Sequence, residues 1–177
     1  MKVFRAVVIV IGVLIVLAVV AACLMPNTFS VRRSRVIVAD AGTLYAKFAT
    51  PRTWAEWSTW TSRGDSTLHY SYEGPDSGVG AAMKWTSKKF GDGRLTISEA
   101  HPAKDIRYEL QMAGSDMHVH GHVSFEPAEG GTNVTWHDQG DFGANPLWRL
   151  FGPMMDGMLG SSFEKSLANL AATATPR

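Results

Sequence analysis

The feature that most constrains this chain is its last apolar-periodic run, residues 146–174. Leu147, Leu150, Phe151, Met154, Met155, Met158, Leu159, Phe163, Leu167 and Leu170 recur there at steps of three and four, the period of one helix face. Asn145 stands before Pro146, a capping residue followed by a helix-starting proline. Pro153 lacks an N–H and clashes one turn back, which predicts a kink or restart at Gly152-Pro153. The residues beyond it make a rod of roughly 30 Å at 1.5 Å per residue. Such a rod can lie across a whole small sheet, and the chain before it reads almost entirely as strand. The expected solution is a sheet curled around one long helix, with residues 173–177 as a frayed tail.

The other end of the chain obeys different physics. Lys2 and Arg5 precede an uncharged run over residues 6–25, mostly Val, Ile, Leu and Ala, and Pro26-Asn27 ends it. Twenty apolar residues suffice to cross a bilayer core of about 30 Å. The segment 1–27 is therefore expected to be a single-pass N-terminal anchor. A second reading uses Val20-Ala21-Ala22-Cys23, a small-residue stretch ending in cysteine that resembles a bacterial lipoprotein signal, with Cys23 lipidated. Leu24 and Met25 keep the run apolar beyond Cys23 and favour the anchor. Both readings place the following domain, residues 28–174, at a membrane. Basic residues flank both ends (Lys2 and Arg5; Arg32, Arg33 and Arg35), so the charge rule leaves orientation open.

Between these ends lies material for one domain. Of 177 residues only one is cysteine, which excludes an intramolecular disulfide framework. A formal net charge of +1 gives no electrostatic footprint for nucleic acid. Val31 and Val36-Ile37-Val38 mark a first strand over residues 28–39. Asp40 to Thr43 is turn and cap chemistry leading into a short helix with Leu44, Tyr45 and Phe48. Trp54, Trp57 and Trp60, at steps of three, read as a short helical turn, an aromatic plug closing one end of the sheet rather than a binding box. Period two then takes over. Six strands carry Tyr70 and Tyr72; Met83 and Trp85; Leu95, Ile97 and Glu99; Tyr108 and Leu110; Val123 and Phe125; and Val134, Trp136 and Asp138.

The class is thus α+β: a helix-grip fold with a seven-stranded antiparallel sheet around the C-terminal helix, plus one N-terminal transmembrane helix. At this point the chain resembles the polyketide cyclase/dehydrase-like branch of the START-like (SRPBCC) superfamily, which includes the birch pollen allergen. The resemblance rests on Arg52-Thr53-Trp54-Ala55-Glu56-Trp57-Ser58-Thr59-Trp60, on the stretch from Tyr72 to Gly80, on Phe125-Glu126-Pro127 with Gly130-Gly131-Thr132-Asn133-Val134-Thr135-Trp136, and on the stretch from Phe163 to Leu170. It spans about residues 28–172. The hydrophobic N-terminus is similar to that of a bacterial subgroup of small members. Members bind lipids, make polyketides, or do neither, and no shared catalytic motif transfers residue by residue.

Strand alternation assigns candidate site residues to one face. Tyr70, Tyr72, Met83, Trp85, Tyr108, Phe125 and Trp136 from the sheet, with Met154, Met155 and Met158 from the helix, make a lining for a greasy molecule, since methionines adapt to varied shapes. A filled core is the other outcome of the same pattern. Inner-face acid/base candidates are few: Asp138, Glu99 and Tyr108. His118, His120 and His122 alternate on the opposite face, and pairing Phe125 with Val134 sets His122 beside His137. Spacing alone would allow zinc, but these side chains face solvent, so a solvated, pH-responsive face is expected and no metal or cofactor. No G-x-S-x-G elbow, Cys–His pair or phosphate loop occurs. The expected function is a membrane-tethered binding module for a hydrophobic or lipid-like small molecule held between sheet and helix. A polyketide cyclase or dehydratase using the inner acid/base residues is the alternative.

Overall fold

The computed structural model describes residues 1–61 and 64–174. Its elements follow the hydrophobic periods: α1 (Lys2–Leu24), β1 (Thr28–Ile37), α2 (Ala41–Ala49), a 3₁₀ turn at Pro51–Thr53, α3 (Trp54–Trp57), β2 (His69–Glu73), β3 (Ala82–Thr86), β4 (Gly93–His101), β5 (Asp105–Met112), β6 (His118–Ala128), β7 (Gly131–Asp141), a 3₁₀ helix at Pro146–Phe151 and α4 (Gly152–Ala174). Among the described residues the strands form one seven-stranded sheet in the order β1-β7-β6-β5-β4-β3-β2, all neighbours antiparallel. The chain opens the sheet at one edge with β1, crosses to the other edge with β2, and returns strand by strand until β7 meets β1.

Local chemistry sets the boundaries. Asp40 caps α2 by accepting from the Thr43 N–H at 2.8 Å. Asn145 caps the 3₁₀ helix by accepting from the Leu147 N–H at 3.0 Å. The chain changes from 3₁₀ to α geometry at Gly152, next to Pro153, so the restart falls where the proline removes an N–H. Thr173 and Ala174 continue α4, which shortens the expected frayed tail; residues 175–177 lie outside the described residues.

α4 lies across the inner face of the sheet, with Phe163, Leu167 and Leu170 buried against it. Arg33 of β1 fastens the helix from the sheet edge: its guanidinium donates to Glu164 at 2.6 Å and to the Asp156 carboxylate at 2.8 and 3.0 Å. Gly160 makes room for that guanidinium, because a Cβ there would fall inside it. Asn169 donates to the Trp57 carbonyl and Ser166 accepts from the Thr59 N–H, tying α4 to the α3 segment.

The two ends of the sheet differ. At the far end, where β6 turns into β7, Phe48, Trp54, Trp57, Phe125, Trp136 and Phe163 form one continuous aromatic cluster. Phe48 lies 4.6 Å from Trp57, and Trp136 stacks on Phe163 at 4.3 Å. Two of the three expected plug tryptophans belong to it. Trp60 does not: it lies beyond α3 and packs on Trp85 at 5.7 Å. At the near end, where Thr28 pairs with Asp141, the chain arrives from α1. That helix has 23 residues, apolar from Ala6 onward, and is long and apolar enough to cross a membrane. Its last turn packs on the 3₁₀ helix Pro146–Phe151, burying Ala22, while Arg149 donates to Asn27 Oδ1 at 3.1 Å.

Candidate functional site

A cavity of about 590 Å³ lies between the near half of the sheet and the first turns of α4. Phe29, Tyr70, Trp85, Leu110, Met112 and Val119 form its sheet wall, and Trp148, Phe151, Met155, Met158 and Leu159 its helical wall. Trp60, Leu68, Phe90, Met117 and Phe142 fill the corners. Against this apolar lining stand two polar side chains, Asp138 and Ser162, at the deep end. Behind them a void of about 10 Å³, lined by Trp54, Tyr108 and Trp136 among others, ends the space; the aromatic cluster fills everything beyond.

The deep end is built by one row of paired residues. Tyr108 of β5 pairs with Gly121 of β6, which pairs with Asp138 of β7. A side chain at 121 would collide with the Tyr108 ring, so glycine lets that ring lie flat across β6. The Tyr108 hydroxyl thereby reaches over one strand and donates to Asp138 Oδ1 at 2.6 Å. Trp136 Nε1 donates to the same hydroxyl at 2.7 Å. Asp138 is only 5% exposed. Burial pushes its carboxyl up to about 7, against the lowering effect of its hydrogen bonds. Burial, with the Asp138 charge second, holds the Tyr108 hydroxyl well above the ordinary phenol range, so tyrosine stays the donor. The same device recurs towards the mouth, where the Trp85 ring covers Gly93 and the Phe29 ring covers Gly140.

The expected lining residues are placed as follows. Tyr70, Trp85, Met155 and Met158 line the cavity. Tyr70 also donates to the Trp60 carbonyl at 2.6 Å, fixing the segment after α3. Tyr72, Met83, Tyr108, Phe125, Trp136 and Met154 do not line it. Tyr72 lies at the far end under the Arg52 guanidinium, 4.4 Å from its ring centre. Met83 is buried core, and Phe125 and Trp136 belong to the aromatic cluster. Tyr108 sits behind Asp138, and Met154 points to solvent. Strand period separated inner from outer faces but carried no information about depth along the strand. The connections at the near end supply Phe90, Met117 and Phe142, which no period could assign.

One inner-face expectation is overturned. Glu99 lies on the outer face, pairing with Arg107 in register and in charge at 3.3 Å, because the register shifts between Ile97 and Glu99. An extra residue in one strand reverses the alternation beyond it. The histidines are outside as expected: His118 and His120 are exposed, and His122 stands opposite His137. His137 lies 2.9 Å from the Ser30 hydroxyl, and burial, Arg32 and His122 lower its pKa. No cluster of three metal-ligating side chains occurs among the described residues.

Residues 28–175 match the family model for polyketide cyclase / dehydrase and lipid transport, and the chain belongs to that family. No curated protein matches the sequence. Solved structures share the fold. Protein CV1439 from Chromobacterium violaceum is 22% identical, with a TM-score of 0.61 over 86% of this chain and 100% of that one. A protein of unknown function from Staphylococcus aureus, SA2116, is 10% identical, with a TM-score of 0.62 over 82% and 95%. The di-domain aromatase/cyclase BexL of the BE-7585A biosynthetic pathway is 16% identical, with a TM-score of 0.63 over 85% of this chain and 51% of its own.

Proposed function

We propose that this chain is a membrane-tethered binding module for an amphipathic, largely apolar small molecule of lipid or polyketide type. The observation that carries the reading is the cavity of about 590 Å³ with Asp138 and Ser162 as the polar groups of its deep end. A space of that size falls within the range of small-molecule sites. Desolvation of the apolar wall supplies affinity at about 25 cal/mol per Å² buried, and Asp138 orients one hydroxyl, carbonyl or carboxyl of the guest. α1 is the tether, in keeping with its length and composition. The test is to purify the full chain in lipid nanodiscs, extract it, and titrate it with NBD-labelled stearate. Co-purification of an apolar molecule, or saturable binding that Met155→Trp abolishes, is expected. An empty extract with no saturable binding of the stearate or of an aromatic polyketide-like probe would overturn it.

The Tyr108–Asp138 pair favours a second reading, a cyclase or dehydratase. A carboxyl near 7 at the deep end can take a proton from an enolisable C–H and return it to an oxygen. Asp138 is the group that touches the guest; Tyr108 positions it. Turnover of a poly-β-carbonyl thioester by the parent chain and its loss in Asp138→Asn, with binding retained, would establish this reading over simple carriage.

A further inference from the structure

We infer that the mouth of the cavity docks on the bilayer surface from which α1 emerges, and that the guest passes between cavity and lipid leaflet without crossing bulk water. The inference rests on the tethered binding module proposed above. Leu147, Trp148, Phe151, Met154 and Met158 are 46–59% exposed. Outside α1 and its N-terminal Met1, only the single valines Val36, Val38 and Val79 are comparably exposed large apolar residues among the described residues. Scattered exposed apolar residues are ordinary; five within twelve positions form a patch that calls for a partner.

Three observations commit that partner to lipid. The patch is continuous with α1: the last turn of that helix packs on the 3₁₀ helix Pro146–Phe151, and Arg149 donates to Asn27 Oδ1 and to the Cys23 carbonyl. A bilayer spanned by α1 would therefore end beside these side chains. The patch is also the rim of the cavity, since Trp148, Phe151 and Met158 line it from their inner sides. The turn after β3, at the same end of the sheet, adds exposed Lys88 and Lys89 beside Phe90, which also lines the cavity. Apolar side chains with cations at their edge suit the boundary between acyl chains and phosphates. The far end of the sheet, closed by aromatics, offers no such opening.

The experiment uses the full chain in vesicles of phosphatidylcholine and phosphatidylglycerol. In a Cys23→Ser background, a bimane label is placed by Leu147→Cys, by Met154→Cys, and by Val79→Cys at the far end. Neither Leu147 nor Met154 lines the cavity, so the labels leave the mouth clear. Lipids carrying a doxyl quencher in the upper acyl chain should extinguish most fluorescence at 147 and 154 and none at 79. Background quenching at all three sites, with the chain still in the vesicles, would overturn the docking. Transfer of NBD-labelled stearate from vesicle to protein is read in parallel. The double variant Leu147→Glu/Met154→Glu should slow it by about tenfold or more by lifting the rim from the lipid. Quenching without any transfer in the parent would sink the binding function but leave the docking; transfer without quenching would do the reverse.

Discussion

The two ends of this sheet are made by the same strands and covered by the same helix, yet one is solid and the other hollow. At the far end two short helices drop Phe48, Trp54 and Trp57 between sheet and α4, where they meet Phe125, Trp136 and Phe163. At the near end the connections supply Trp60, Leu68, Phe90, Met117 and Phe142, which edge a cavity instead of filling it. Trp148 and Phe151 are turned half outward, and the helix begins with Met155, Met158 and Leu159 over a gap. The boundary is the row Tyr108–Gly121–Asp138, where the cavity gives way to the packed cluster. This sheet is thus divided along its strands: one end is packed solid, the other encloses a cavity.

The sharpest way to break the contrast is to remove bulk from each end in turn. Trp57 is 1% exposed inside the aromatic cluster, so Trp57→Ala should destabilise the domain by about 3–5 kcal/mol. Trp148→Ala at the rim should change stability by no more than about 0.5 kcal/mol. Denaturant unfolding of the two variants, followed by far-UV circular dichroism, checks both. Equal losses would mean that the near end is as tightly integrated as the far one.

Asp138 marks the boundary in a pH profile. Its folded pKa, about 7, lies above its unfolded value near 4, so the folded state holds the proton more tightly. The stability from this group is complete below about pH 4 and is lost as pH rises through about 7. The difference is on the order of a few kcal/mol. Asp138→Asn should flatten the profile between those limits, as read by thermal melting at several pH values. An unchanged slope in the variant would remove Asp138 as the titrating group.

Gly121→Ala tests how the boundary is built. The added methyl meets the Tyr108 ring, and overpacking of this kind costs about 1–3 kcal/mol. Because the ring must move, the Tyr108–Asp138 bond should lengthen, and the pH profile should shift along with stability. A stability loss with an unaltered profile would show that Tyr108 finds the carboxylate by another route.

What the sequence made legible follows the same division. Period two and the long 3.6-residue run carry one bit per residue, inner or outer, and that bit was enough for seven strands, their order along the chain and the placement of Asp138 inside. It was not enough for Glu99, because a bulge leaves no mark in composition and inverts the bit for every residue after it. Nor could it separate Trp54 and Trp57 from Trp60, three residues of equal spacing that end in a plug and in a cavity wall. Depth along a strand is set by what lies over it, and that is decided by connections such as the two that hold Met117 and Phe142. Gly121 did leave a signal, a glycine inside the apolar alternation of β6, which means close approach by a neighbouring ring.

The smallest expected effect on stability carries the most about function. Met155 is half-buried on α4 and lines the hollow end. In a solid core, enlarging a side chain forces neighbours off their rotamers at about 1–3 kcal/mol. Here the added indole has a void to enter, so Met155→Trp should leave the melting temperature almost unchanged, a stability difference within about 0.5 kcal/mol. The same indole occupies the space a guest needs, next to Leu159 and opposite the sheet wall. Binding of NBD-labelled stearate should therefore disappear while the fold stays intact, and the Trp148→Ala variant, which widens the rim instead, should keep it. A large drop in melting temperature for Met155→Trp would mean that the near end closes in solution as firmly as the far end, and the contrast between them would fail.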